Sequence, residues 1–166
     1  DGAGGGIVAW EDSRNGNGDI FAQRIEHFGY LGSPEPLIAG VADVPNDQGG
    51  QVKVSWYASW LDPAFDANLA AYDVLRSAPS GAVSVALAKD RRVFTLGERV
   101  VAPVAGDIVA QPLGTQVYFW EYLDSVSALH YVEGYSYVAP TTGDSVGGSN
   151  PCTAFMVAGR HSSGTM

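Results

Sequence analysis

The stretch that decides the fold is Ala42-Asp43-Val44-Pro45-Asn46-Asp47-Gln48-Gly49-Gly50-Gln51-Val52-Lys53-Val54-Ser55-Trp56. A lead-in of Pro, Asn, Asp and Gly is turn chemistry, and it runs into a strict alternation. Val52, Val54 and Trp56 share one face, while Gln51, Lys53 and Ser55 take the other. Strand side chains alternate sides, so this run predicts a half-buried β-strand. A tryptophan on the apolar face needs cover from a second layer, which a sandwich of two sheets supplies.

The totals agree. In 166 residues, 46% are apolar and only 16% charged, so the chain has the means to build a core and is not a disordered segment. Twenty-one Gly and nine Pro, together with prominent Val, Tyr and Trp, favour many short strands joined by tight turns. The formal charge of −9 disfavours nucleic-acid binding, which needs a basic face to displace counterions from phosphates. It suits colloidal solubility or a cation-rich setting. Cys152 is the only cysteine, so no internal disulfide can form. No apolar run is long enough for a membrane span or a signal peptide. The chain opens on Asp1, and we read it as a piece of a longer exported protein, placed outside the cell or at its surface.

Gly6 to Asp12 and Asp19 to Ile25 read as the two strands of a hairpin. Asn15-Gly16 and Asn17-Gly18 supply its turn with residues that tolerate positive φ. Gly29, Gly32, Pro34 and Pro36 then break the chain, marking a boundary near residue 33. Four later runs also look strand-like: Ala82 to Ala88, Arg92 to Leu96, Arg99 to Val104 and Gln116 to Tyr122. A structureless loop of that span inside a domain is improbable, so added strands are expected there.

Two resemblances follow from these residues. Asp1-Gly2-Ala3-Gly4-Gly5-Gly6-Ile7-Val8-Ala9-Trp10-Glu11-Asp12-Ser13-Arg14, followed by Asp19-Ile20-Phe21-Ala22-Gln23-Arg24, resembles one blade-forming repeat of bacterial extracellular β-propeller-like proteins, over about residues 1–32. From about 36 to 160 the chain resembles a fibronectin type III-like module of bacterial exported proteins. The carrying residues are Ile38 to Gly50, Val52 to Trp56, Ala71-Tyr72-Asp73-Val74-Leu75-Arg76, Tyr135 to Thr141 with Asp144-Ser145, and Thr153 to Ala158. The resemblance implies an all-β, immunoglobulin-like β-sandwich over 34–166 with extra strands inserted at about 77–134, preceded by the hairpin at 1–33. It also implies a spacing, presenting or attaching role with no catalytic residues. It calls for one more strand after Phe155 to Ala158, which the sequence lacks, so an open sheet edge suited to self-association is expected.

Candidate site residues are sparse. Asp12, Asn15, Asn17 and Asp19 place oxygen ligands in a Gly-rich turn, which is calcium chemistry, although the twelve-residue calcium loop is not matched. The same residues serve equally as turn formers. Asp43, Asn46, Asp47 and Gln48 read as a cap for the Trp56 strand. His27, His130 and His161 show no metal-ligand spacing. Gly143-Asp144-Ser145 has the look of an esterase block, and a triad of Ser145, His161 and Asp144 is the weak catalytic alternative. Asp62, Asp66, Glu121, Asp124 and Glu133 offer carboxylate pairs for a glycosidase, as any acidic chain does.

The aromatic clusters are the stronger signal. Trp56 reads as core, whereas Trp60, Trp120 and Tyr122 are candidate ligand-binding aromatics. The expected function is therefore a non-catalytic accessory or spacer module binding carbohydrate or a protein partner. The alternatives are a small hydrolase of esterase or glycosidase type with its site between the insert and the C-terminal segment, and a self-assembling structural subunit.

Overall fold

The computed structural model describes residues 6–14, 16–25, 35–46, 50–59, 61–62, 68–79, 81–99, 103–130, 132–141 and 153–164. The fold is all-β, with ten strands in three sheets and one short helix among the described residues. β1 (Gly6–Asp12) and β2 (Asp19–Ile25) form a two-stranded antiparallel sheet. β3 (Leu37–Asp43), β4 (Gln51–Tyr57) and β9 (Gly134–Pro140) form a second, in the order β3-β4-β9. The third runs β10-β5-β8-β7-β6, from β10 (Phe155–His161) through β5 (Leu69–Ser77), β8 (Gln116–Ser127) and β7 (Ile108–Leu113) to β6 (Val93–Thr95). All pairings are antiparallel except β6 with β7.

The sandwich is the packing of the three-stranded sheet on the five-stranded one. Val54 and Trp56 of β4 are fully buried, as their alternation predicts, and Tyr135 and Ala139 of β9 join them from the same sheet. Leu69, Tyr72 and Val74 of β5 and Val157 of β10 close the core from the other side. Trp56 stacks on Tyr135 at 6.0 Å between ring centres and meets Tyr72 edge-on at 5.9 Å, geometries that add to the burial of large rings. β5 is buried on both faces: Asp73 and Leu75 point away from this core and are still inaccessible. A central strand covered on two sides loses the simple polar alternation.

The expected strand over Ala82 to Ala88 is a correction. This segment is helix α1 (Ala82–Ala88). Val83, Val85 and Leu87 alternate with Ser84 and the small Ala86, which mimics a strand, but three alanines favour helix. Gly81, at φ 85°, turns the chain into it, and Asp90, at φ 57°, turns it out. Only Ala86 is buried, so the helix is held by one small contact face. Arg92 to Leu96 contains β6, and Gln116 to Tyr122 is the first half of the longer β8. Residues 100–102 of the run from Arg99 to Val104 lie outside the described residues. β7 is an addition, hidden from sequence by Pro112 and by the lack of alternation in Ile108-Val109-Ala110.

In the hairpin, the register sets Trp10 against Phe21 and Ala9 against Ala22. The Trp10 and Phe21 rings stack at 5.9 Å. Ile7, Val8, Trp10, Ile20 and Phe21 are exposed, and among the described strands β1 and β2 ladder only with each other. The described strands close into neither a barrel nor a propeller. No helix among the described residues is long and apolar enough to cross a membrane.

Candidate ligand-binding cleft

The chain after β5 leaves the sheet at Pro79, turns at Gly81, and folds back as α1 beside the end of the sandwich. Between the helix and the sheets lies a half-open cleft of about 570 Å³. Val85 and Ala86 of the helix, Ile108 of β7 and Leu123 of β8 give it an aliphatic lining. Arg76, Lys89, Arg91 and Glu121 place charge on it, and Tyr137 stands on the β9 side.

Each cation has a structural reason to be there. Arg76 sits near the end of β5 opposite Glu121 in the ladder, and its Nη2 donates to Glu121 Oε2 at 2.6 Å. Its Nη1 donates to the Pro140 carbonyl at 2.9 Å, which ties the five-stranded sheet to the end of β9. The Arg76 Nε is buried without a hydrogen-bond partner. Lys89 closes α1, its amide donating back to Val85 and Ala86 carbonyls. The Arg91 amide donates to the Ala86 carbonyl, so the chain wraps around the helix end. The Arg91 side chain passes over Gly106, whose φ of 92° suits glycine.

The wall that carries Gly106 is pinned from below. Asp107 is fully buried; its Oδ2 accepts from Arg92 Nε (3.0 Å), Arg92 Nη2 (2.5 Å) and the Val104 amide (3.0 Å), and its Oδ1 from the Arg92 amide (3.0 Å). Burial pushes this carboxyl up, but the Arg92 guanidinium and the two amides outweigh it and hold the group below its ordinary value.

A second buried carboxylate organises the opposite end of the core. Asp62 Oδ2 accepts from the hydroxyls of Tyr72 (2.7 Å) and Tyr135 (2.6 Å), and its Oδ1 accepts from the His130 amide (2.8 Å). Those hydroxyls in turn accept from the Ser59 amide (2.9 Å) and the Leu129 amide (2.7 Å). His130, at φ 66°, sets Nδ1 2.6 Å from the Asp62 carbonyl oxygen; a carbonyl only accepts, so that nitrogen carries the proton. Burial and the neighbouring carboxylate push the Tyr135 phenol up to about 12, and the Tyr72 phenol higher still. The network ties the loops around Asp62 and His130 to both sheets.

Asp73 is the third buried acid. Burial pushes its carboxyl up to about 6, against the opposing pull of Arg160 and with a further push from Asp124. Arg160 Nε lies 3.1 Å from Asp73 Oδ2, an ion pair whose N–H is not aimed at the oxygen, and neither carboxylate oxygen accepts a hydrogen bond.

The residues singled out from sequence fall elsewhere. Trp120 is half-buried, its Nε1 donating to Gln111 Oε1 at 2.9 Å, and Tyr122 is buried with its residue backing the cleft. Trp60 lies outside the described residues, as do Asp144 and Ser145. His161 Nδ1 is 2.8 Å from Ser163 Oγ, in an exposed turn. Both oxygens of Asp12 are taken by Arg14, which holds the carboxyl below its usual range. Asp12 and Asp19 face each other as the pair that closes the hairpin ladder, Asn17 is exposed in the turn, and Asn15 lies outside the described residues. Among the described residues no three His, Cys, Asp or Glu side chains gather as a metal cluster.

Sequence reading missed Lys89 and Arg91. A signal was present: Arg76, Lys89, Arg91, Arg92 and Arg99 put five of the nine cations into one short stretch of an acidic chain. No family model, curated protein or solved structure matches this chain.

Proposed function

We propose that this chain is a non-catalytic β-sandwich module of an exported protein, working outside the cell or at its surface, which binds a carbohydrate or protein partner through the cleft beneath α1. One observation carries the proposal. The cleft combines an aliphatic lining with charged groups on a rigid sheet, while its single acid, Glu121, is already paired with Arg76. Among the described lining residues there is no Ser, Cys or His to act as nucleophile or base. Concave, mostly apolar surfaces with a few fixed polar groups are what ligand sites look like. The buried acids Asp62 and Asp107 are engaged in the scaffold, which supports binding as the use of this surface.

The test is a heteronuclear NMR titration with soluble oligosaccharides and short peptides, run beside an assay of chromogenic esters and glycosides. Shifts that map to α1, Glu121 and Tyr137, with no turnover, are the expected result. Turnover that co-purifies with the folded chain overturns the proposal in favour of a hydrolase.

One feature favours a second reading. Among the described strands β10 ladders with β5 on one side only and so ends its sheet, the arrangement through which strands are added from another chain. Light scattering across a concentration series tests self-association: a mass that rises to a defined oligomer supports it, and a constant monomer rejects it.

A further inference from the structure

Resting on the binding-module proposal, we infer that the ligand of the cleft is an acidic peptide segment, one in which carboxylates flank an apolar side chain. The chain carries a formal charge of −9, yet three of its nine cationic side chains line this one cleft against the single carboxylate of Glu121. Elsewhere among the described residues Arg14 is matched with Asp12, Arg92 with Asp107 and Arg160 with Asp73, while Lys53 and Arg99 are single cations away from this cleft. Neither Lys89 nor Arg91 has a carboxylate within ion-pair distance among the described residues. Both are exposed, so they stand ready for a partner without desolvation of a buried charge.

The acidic remainder of the surface does not forbid this. At physiological salt the screening length is about 8 Å, so a short ligand in the cleft feels its near neighbours and little else. A long polyanion would feel the whole acidic body, which excludes nucleic acid by the same reasoning. The lining then separates peptide from sugar. Sugar recognition uses an exposed aromatic face and free amide or carboxylate partners, whereas here Tyr122 is buried, Tyr137 is half-buried and Glu121 is engaged by Arg76. The aliphatic Val85, Ala86, Ile108 and Leu123 line the cleft with no Asn, Gln or His among the described lining residues. Val85 is 54% exposed and offers its apolar side chain at the cleft. A half-open trough with an aliphatic base and cationic rim fits an extended chain that lays one apolar residue down and pairs its acids on either side.

The experiment is fluorescence anisotropy of a fluorescein-labelled hexapeptide of alternating Glu and Leu, titrated with the full chain, against a Gln/Leu peptide of the same length. Binding of the Glu peptide is expected to be at least tenfold tighter than of the Gln peptide and to weaken as salt rises. The double variant Lys89→Glu/Arg91→Glu is expected to lose at least tenfold. If its urea midpoint shows that it folds poorly, Lys89→Gln/Arg91→Gln takes its place, with the same direction of loss. Equal binding of the two peptides, or undiminished binding by the folded variants, overturns the inference. Binding of oligogalacturonate without the Glu peptide overturns it too, but leaves the binding-module proposal standing. Ester or glycoside turnover is what would instead sink that proposal.

Discussion

The Tyr135 hydroxyl donates to Asp62 Oδ2 at 2.6 Å, joining residues 73 positions apart through a carboxylate that is only 1% exposed. Tyr72 reaches the same oxygen from the facing sheet, so one acid links both layers of the sandwich. Removing a buried acceptor strands its donors, at a cost larger than the bonds were worth. Asp62→Ala is therefore expected to lower unfolding stability by about 3 kcal/mol or more. Tyr135→Phe, which leaves the carboxylate with its other donors, is expected to cost about 2 kcal/mol. Urea midpoints at constant m-value measure both, and a wild-type midpoint for Asp62→Ala would refute the network's role.

Asp73 gives stability a pH dependence of unusual sign. Its carboxyl is raised in the folded state to about 6 from 3.8, so between those values the native chain holds a proton that the unfolded chain has released. By linkage this contribution is favourable at low pH and is lost as pH rises from about 4 to 6, by as much as about 3 kcal/mol. Asp107, whose carboxyl is depressed, works in the opposite direction at lower pH, losing stability as acid protonates it. Urea unfolding of wild type and Asp73→Asn at pH 4, 5, 6 and 7 isolates the first effect. The wild-type minus variant difference should fall over that range, and a flat difference is the contrary result.

Gly134 opens β9 opposite Tyr57, and a Cβ there would stand 3.0 Å from the Trp56 carbonyl oxygen. That atom belongs to the backbone of the central strand and cannot swing aside. Gly134→Ala is expected to cost about 1–2 kcal/mol as overpacking strain. Gly40 in β3 has nothing within 4 Å of its Cβ position, so Gly40→Ala is expected to stay within about 0.5 kcal/mol. Thermal melts of the pair decide it: equal shifts would show that the close approach relaxes.

Trp10 is 44% exposed and, among the described residues, stacks only on Phe21 within its own hairpin. Trp10→Ala should leave the cooperative unfolding of the sandwich within about 0.5 kcal/mol of wild type. Urea unfolding followed by near-ultraviolet circular dichroism, in which Trp56, Tyr72 and Tyr135 report on the core, measures that transition. A loss above 1 kcal/mol would reveal that the hairpin supports the sandwich.

Much of the sandwich was legible because its central signal is local. Val54 and Trp56 alternate with polar residues over a few positions, and the structure buries both. The hairpin strands were bounded by their Asn-Gly turn for the same reason. The insert was harder. Val83, Val85 and Leu87 carry the period of a strand, and only the alanines and the left-handed Gly81 and Asp90 at the ends make a helix of them. β7 contains a proline and no alternation, because its pairing with β6 and β8 buries Ile108 and Val109 together. The cleft depends on long-range approach of residues 76, 89, 91 and 121, which no spacing encodes. Asp62 was noted as one acid among several, since its role appears only when Tyr72, Tyr135 and His130 converge on it.

The two walls of the cleft are held to the protein in unequal ways. The sheet side is locked by a ladder, by Arg76 and by the core, whereas the helix presses inward with Ala86 alone. Substitutions at Val85 and Lys89 therefore bear little on whether the chain folds and much on what the cleft meets. Related chains are free to diverge on that helix while keeping the sandwich intact, so ligand preference can drift in this scaffold faster than its architecture does.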